Sequence, residues 1–416
     1  MERRTRIWIG LSTALLVSTA SAERVVIARE SPGADVVKKA SSAPARPRVH
    51  VAQVEASGEG GPNEGGGPVL GTITEFRLSS NDASAFSYDA KQQVTGYVDL
   101  VSASYTSAHQ AAAALREAVA ALTESPSAES LEAARSAWLA ARAAYLDTEA
   151  FLFYAGPVDG PGGPFPRLNM WPVDPASIDG MLADVSTSLN FRSLARLNKI
   201  EPPVKITTGL HVLEYLLWGS DGALAADAFA AGSRRSEYAR AVAQLLVNDL
   251  SVVAVAWAPG TNNYRASVEA MDQRNALGRA FNGMTALVGY EIPLRRIGAG
   301  LFPANENFQP SPFSGTSEQD NRHAFEGARK VYFGTGIDRL VEATDAGLAA
   351  SIAAGFDAAS AAIGAMDAPY ARFLAPPAGS SERATAEAAV KALTNLARDL
   401  RQAGNRLGIL VVVPGM

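Results

Sequence analysis

The stretch that decides the fold is TTGLHVLEYLLWG, residues 207–219. Wound as a helix, it carries leucine, valine, tyrosine and tryptophan around nearly its whole circumference, and a helix apolar all round is a buried one. In its middle stand His211 and Glu214, three positions apart and so neighbours on the helix surface. Both side chains can point at one spot, where imidazole nitrogen and carboxylate oxygen are ligands for zinc or iron. The pair can equally hydrogen-bond to itself without an ion, because an unpaired carboxylate in a core is costly. Gly209 removes a side chain just before the histidine and permits another helix to come close. Tyr215 and Trp218 continue the same side of the helix.

A second acid lies upstream in YLDTEAFLFY, residues 145–154. Leu131, Trp138, Tyr145 and Leu152 are spaced by seven, which keeps them on one helix face. Glu149 falls on or beside that stripe, among Ala150, Phe151, Leu152 and Phe153, and so is directed inward. Two like charges in a core repel unless a proton or cation sits between them. A metal shared by Glu149, His211 and Glu214 resolves the conflict. An ion pair between Glu149 and a buried arginine, Arg295 or Arg296, resolves it without metal. A third feature is RLNMWPVDPASID, residues 167–179, a loop with Asn169, Trp171, Pro172 and Asp174. Asp174 suits a helix N-cap, and Trp171 either lines a pocket or closes the core under the loop.

Around these features the chain reads as all-α. It has 416 residues, enough for two or three domains, and 47% of them are hydrophobic. Ala-rich runs with Glu and Arg favour helix, and alternating strand-like runs are scarce. Helices are expected over 89–122, then from Ser125 as N-cap with Pro126 as first helical residue, through residue 154. A short helix starts at Pro175, the opening stretch follows the break EPPVK, and further helices are expected at 233–257, 265–300, 318–352, 354–374 and 382–407. Residues 301–317 read as a loop. The expected division is residues 76–225 for an N-terminal helical half and 226–416 for a C-terminal half.

The beginning of the chain reads as an export signal. MERRTR is basic, IWIGLSTALLV is apolar but too short to span a bilayer, and Ala20-Ser21-Ala22 fits small-residue cleavage before Glu23. A Gly/Pro/Ser-rich spacer follows over 23–75, and it reads as disordered. The expected location is therefore the periplasm. With no cysteine in the chain, a lipoprotein anchor, a disulfide and a thiolate ligand are all excluded. Without the signal the net charge moves from -5 to about -7, and no Lys/Arg tract marks a nucleic-acid binder. No later segment reads as apolar enough to cross a membrane. Of the other histidines, His50 falls in the spacer, His109 sits half-exposed on the first helix, and His323 lies in the second turn of a helix starting near Ser317. There is no H-E-x-x-H, no G-x-S-x-G and no phosphate-binding Gly-rich loop.

Taken in order, these segments resemble the imelysin-like proteins, the M75 peptidase family. Gly209, His211 and Glu214 reproduce its G-x-H-x-x-E motif. YLDTEAFLFYAGPVDG is similar to its segment with an inward Glu before Gly-Pro-Val-Asp, and LNMWPVDPASID to its Asn-x-Trp-Pro-Leu-Asp stretch. MTALVGYEIPLRRIGAGLF resembles its later helix with Glu and Arg, here Glu291 and Arg296, and SPFSGTS with VYFG its Ser-rich loop and following Val-Tyr. The likeness covers about residues 85–410. It departs where many relatives have Ser-Asp-Asn-Thr-His and this chain has Ser314, Gly315, Thr316, Ser317 and Glu318.

The resemblance implies two helical-bundle halves with the motif between them, in exported proteins often tied to iron acquisition. It carries over His211, Glu214 and Glu149 as metal ligands, with Gly209, Trp171, Asp174, Arg296 and Glu291 around the pocket. The expected ligand is a divalent or ferric ion, iron before zinc, free or as an iron chelate, passed to an uptake component of the inner or outer membrane. Two other readings stand beside this one. One is a zinc-dependent M75-type peptidase with Glu149 as third ligand or base. The other is a structural or interaction protein whose acids form a metal-free network.

Overall fold

The computed structural model describes residues 88–201, 204–302 and 309–413. The expected signal peptide, the spacer and His50 lie outside the described residues. So do the Gly/Pro-rich runs before residue 88.

Thirteen α-helices and no strand are found among the described residues. The first, α1 (Lys91–Glu124), shows why it packs as it does. Its buried residues Val94, Val98, Val101, Tyr105, Ala108, Ala112, Leu115, Val119 and Leu122 step by four and three alternately, the seam that lets one helix lie along another. The second helix, α2 (Ala128–Leu146), repeats the rule with Leu131, Ala134, Trp138, Ala141 and Tyr145. Its cap is Ser127, in a reciprocal pair with Ser130, and not Ser125. The helix also stops at Leu146, earlier than expected, and the chain continues as a short 3-10 turn at Glu149–Phe151.

Short helices follow: α3 (Phe165–Leu168), α4 (Pro175–Ala183) and α5 (Phe191–Leu197). The opening stretch forms α6 (Leu210–Trp218), whose nine residues are all buried. Then comes α7 (Arg234–Trp257). The expected helix at 265–300 is three pieces: α8 (Tyr264–Glu269), α9 (Gln273–Ala286) and a π-helical stretch, Leu287–Gly298, that contains Pro293. The wider π winding suits a proline that has no N–H to give. The helix expected at 318–352 is interrupted at Gly336, in the left-handed region, and at Asp345, which caps the next helix. This gives α10 (Ser317–Gly334), α11 (Ile337–Thr344) and α12 (Ala346–Gly364). The last helix is α13 (Ser381–Arg406).

The packing sets where the site can lie. α1 lies along α2 and α7, with α6 packed on both α2 and α7. α13 lies along α12 and the π stretch. α9 and α10 touch members of both groups, and both press on the turn at Glu149–Phe151. At Gly283 of α9 an added Cβ would fall 2.1 Å from the Ala150 carbonyl oxygen, so only glycine lets that turn sit against the helix. α7, which follows residue 226, packs on α1 and α6. Among the described residues, two helices do meet the length and composition of a membrane span, Arg234–Trp257 and Ala346–Gly364, contrary to the sequence reading. α7 is mostly buried as a core helix. α12 owes its apolarity to alanine and packs through Leu348, Ile352, Phe356, Ala359 and Ile363.

Candidate functional site

The site begins with a backbone contact. Gly209 caps α6 at φ 100°, and a Cβ there would lie 2.9 Å from the Leu168 carbonyl oxygen. An L side chain is excluded twice, by the dihedral and by the contact. The start of α6 therefore abuts the end of α3, where Asn169 is the C-cap. Trp138 Nε1 donates to the Leu210 carbonyl at 2.8 Å and ties the same turn to α2. His211, in that first turn, is brought against Asn169, with Nε2 3.0 Å from Oδ1.

On the other side of the ring, His211 Nδ1 lies 3.4 Å from Glu214 Oε2. The remaining oxygen, Oε1, accepts from the Ser314 amide at 2.8 Å, the Ser314 hydroxyl at 2.8 Å and the Phe313 amide at 3.0 Å. His211 is 1% exposed and Glu214 0%, so what neutralises them must be in the protein or bound to it. Burial, aided by Arg142 and Arg296, holds the imidazole pKa well below its ordinary value. Burial also pushes Glu214 up to about 8, against the Ser314 donors that favour its charged form. A neutral ring nitrogen and a carboxylate oxygen thus face each other at a distance long for a hydrogen bond. A proton or a cation between them satisfies both.

Glu149 does not join that pair. The structure realises the ion pair that the sequence left open: Arg296 Nη2 donates to Glu149 Oε2 at 2.5 Å. Asn169 Nδ2 donates to Oε1 at 2.9 Å. The amide of Asn169 thus stands between Glu149 and His211, and among the described residues no three His, Asp or Glu side chains are arranged to hold one ion. The physical reason is Arg296, which also donates to Glu291 at 3.3 Å. Burial raises the Glu149 pKa, with Arg296 and Arg142 pulling the other way. Burial works against the Arg296 cation too, but Glu149 and Glu291 more than restore it.

Of the other expected residues, Glu291 and Arg296 belong to this network, and Trp171 is wholly buried. Asp174 is exposed and caps α4 through Ala176 and Ser177. His109 is half-buried on α1 and His323 is exposed on α10. Three contributors had been missed. Arg142, fully buried, donates to Asn169 Oδ1 and to Asp320 at 2.7 Å. Its signal was present: it lies four residues after Trp138 and three before Tyr145, a cation on the core stripe. Asp320 also accepts from the Ser311 hydroxyl at 2.7 Å. The loop at 311–316, without the relatives' Asp and His, still reaches the site through the amide and hydroxyl of Ser314.

This is an all-helical protein in which one buried amide joins a histidine to a carboxylate, while the other side of the histidine faces a second carboxylate. The chain belongs to the imelysin family: the family's sequence model, peptidase M75, matches residues 101–400. In fold it is similar to a solved structure described as an iron-regulated protein A precursor from Parabacteroides distasonis ATCC 8503. That likeness has a TM-score of 0.65 at 19% identity, over 76% of this chain and 95% of the other. No curated protein matches the sequence.

Proposed function

We propose that this imelysin-family protein is exported and carries a metal ion, iron foremost, as cargo held between His211 Nδ1 and Glu214 Oε2. The observation that carries the reading is the facing of those two acceptor atoms at 3.4 Å inside the core. Two ligands of one tetrahedral ion with bonds of about 2.0–2.2 Å stand a similar distance apart. The residues fit such an ion as a pair: His211 has a bare nitrogen and Glu214 one oxygen not taken by the loop. Water or a chelate arriving with the ion would complete its shell. A structural relative whose title names iron regulation supports iron as the first metal to try. The basic and apolar opening of the sequence supports export.

A hydrolytic zinc site needs three protein ligands and an open position. The described residues offer two, so carriage fits better than peptide hydrolysis. The deciding experiment is calorimetric titration of the mature protein with Fe2+ without oxygen, and with Zn2+. One equivalent should bind to the wild type and none to a His211→Ala/Glu214→Gln double variant of unchanged helical content. Equal binding by both would reject the site.

A further inference from the structure

Asn169 touches three other members of the network, and what each can donate or accept fixes its orientation. A guanidinium only donates. The Asn169 atom that Arg142 Nη1 reaches must therefore be the amide oxygen. Asp320 and, behind it, Ser311 hold Arg142 in place, at 2.7 Å in each step. The opposite end of the amide is then the NH2 group, and it meets the carboxylate of Glu149 at 2.9 Å, the partner a donor requires. Turning the amide over would set NH2 against the guanidinium and oxygen against the carboxylate, two repulsions in a dry interior.

With Oδ1 fixed as an acceptor, the His211 atom 3.0 Å away must carry a hydrogen. That atom is Nε2. A neutral imidazole has one N–H, so Nδ1 is left bare. We propose that Asn169 is a positioning residue that fixes His211 as the Nε2–H tautomer and leaves Nδ1 as its one lone pair, directed to Glu214. This deepens the reading of the His211–Glu214 pair above and rests on it for its consequence: Nδ1, not Nε2, is the ring atom that takes the ion. Partners of this kind commonly set the tautomer of a metal-binding histidine.

The test is nitrogen NMR of the metal-free mature chain labelled in histidine, with His211 assigned by the signal lost in His211→Gln. The wild type should show Nε2 bearing the proton and Nδ1 bare, and Zn2+ should shift Nδ1. Asn169→Ala should give a mixed or reversed tautomer and weaken Zn2+ binding about 10- to 100-fold. A proton on Nδ1 in the wild type overturns the proposal, and so does an Asn169→Ala tautomer identical to wild type. The wild-type spectrum decides even if a variant fails to fold. The expected tautomer with no response to Zn2+ would uphold the role of Asn169 and reject the metal reading instead.

Discussion

Glu149 and Glu214 sit at opposite ends of one buried network, and their surroundings differ in kind. At Glu149 the charge is met by a guanidinium that also serves Glu291, and both carboxylate oxygens have donors. At Glu214 one oxygen is met by three uncharged donors of a loop, and the other faces a ring nitrogen. The first end has a cation in direct contact with its acids. At the second no guanidinium or ammonium touches the acid, and on the proposed reading a proton and a metal ion compete there. The acid expected to complete a metal site is thus the one already paired with an arginine, and the proposed ion falls to the pair on α6.

The largest effect should come from breaking the complete end. Arg296→Met strands Glu149 and Glu291 in the core, and removing one partner of a buried pair costs about 3–5 kcal/mol. Urea unfolding measures it, and a loss under about 1 kcal/mol would mean the arginine is not what neutralises Glu149. Next comes Gly209→Ala, which disturbs the start of α6 beside the imidazole. The positive φ and the contact with Leu168 should cost about 1–3 kcal/mol. Metal uptake should fall with it if the start of α6 sets the position of His211.

A pH series of unfolding sharpens the contrast. Glu214 titrates near 8 in the folded state, above the ordinary value of about 4.3. Its contribution to stability is full below about pH 4.3 and drains away as the pH rises toward 8. His211 is depressed on folding and acts in the opposite direction, but only below its ordinary value of about 6.5. Between about pH 6.5 and 8 the metal-free wild type should therefore lose stability, by at most about 1.4 kcal/mol per pH unit. Glu214→Gln should flatten that slope, and an unchanged slope would assign it to another group. The smallest effect belongs to Ser314→Ala, which removes one donor of three from Glu214. With both amides kept, about 1 kcal/mol is expected in thermal unfolding.

Much of this was legible before any coordinates. Seven-residue spacing on α2 and the apolar girth of α6 read directly as an all-helical core, and His211, Glu214 and Glu149 all proved to be buried. The partners of Glu149 were less legible. Helical spacing says that a side chain faces inward, but not which distant element meets it, so Arg296 stood as one choice of two. Asn169 was hidden because a loop has no periodicity, and its role depends on α3 abutting α6. The bond from Ser314 is partly a backbone one, which leaves no mark on residue type. The break at Leu146 was missed because LDTEAFLFY holds no Gly or Pro to mark it.

The loop at 311–316 is stapled from two directions. Ser311 is fastened to the acid that steadies Arg142, and Ser314 to the acid beside His211. Neither His211 nor Glu214 meets solvent, so on the proposed reading an ion reaches them only when some of the packing around them, this loop included, opens. Residence time at the centre would then be governed by how often that packing opens, and a tightly held ion and a slowly released one would be separate matters.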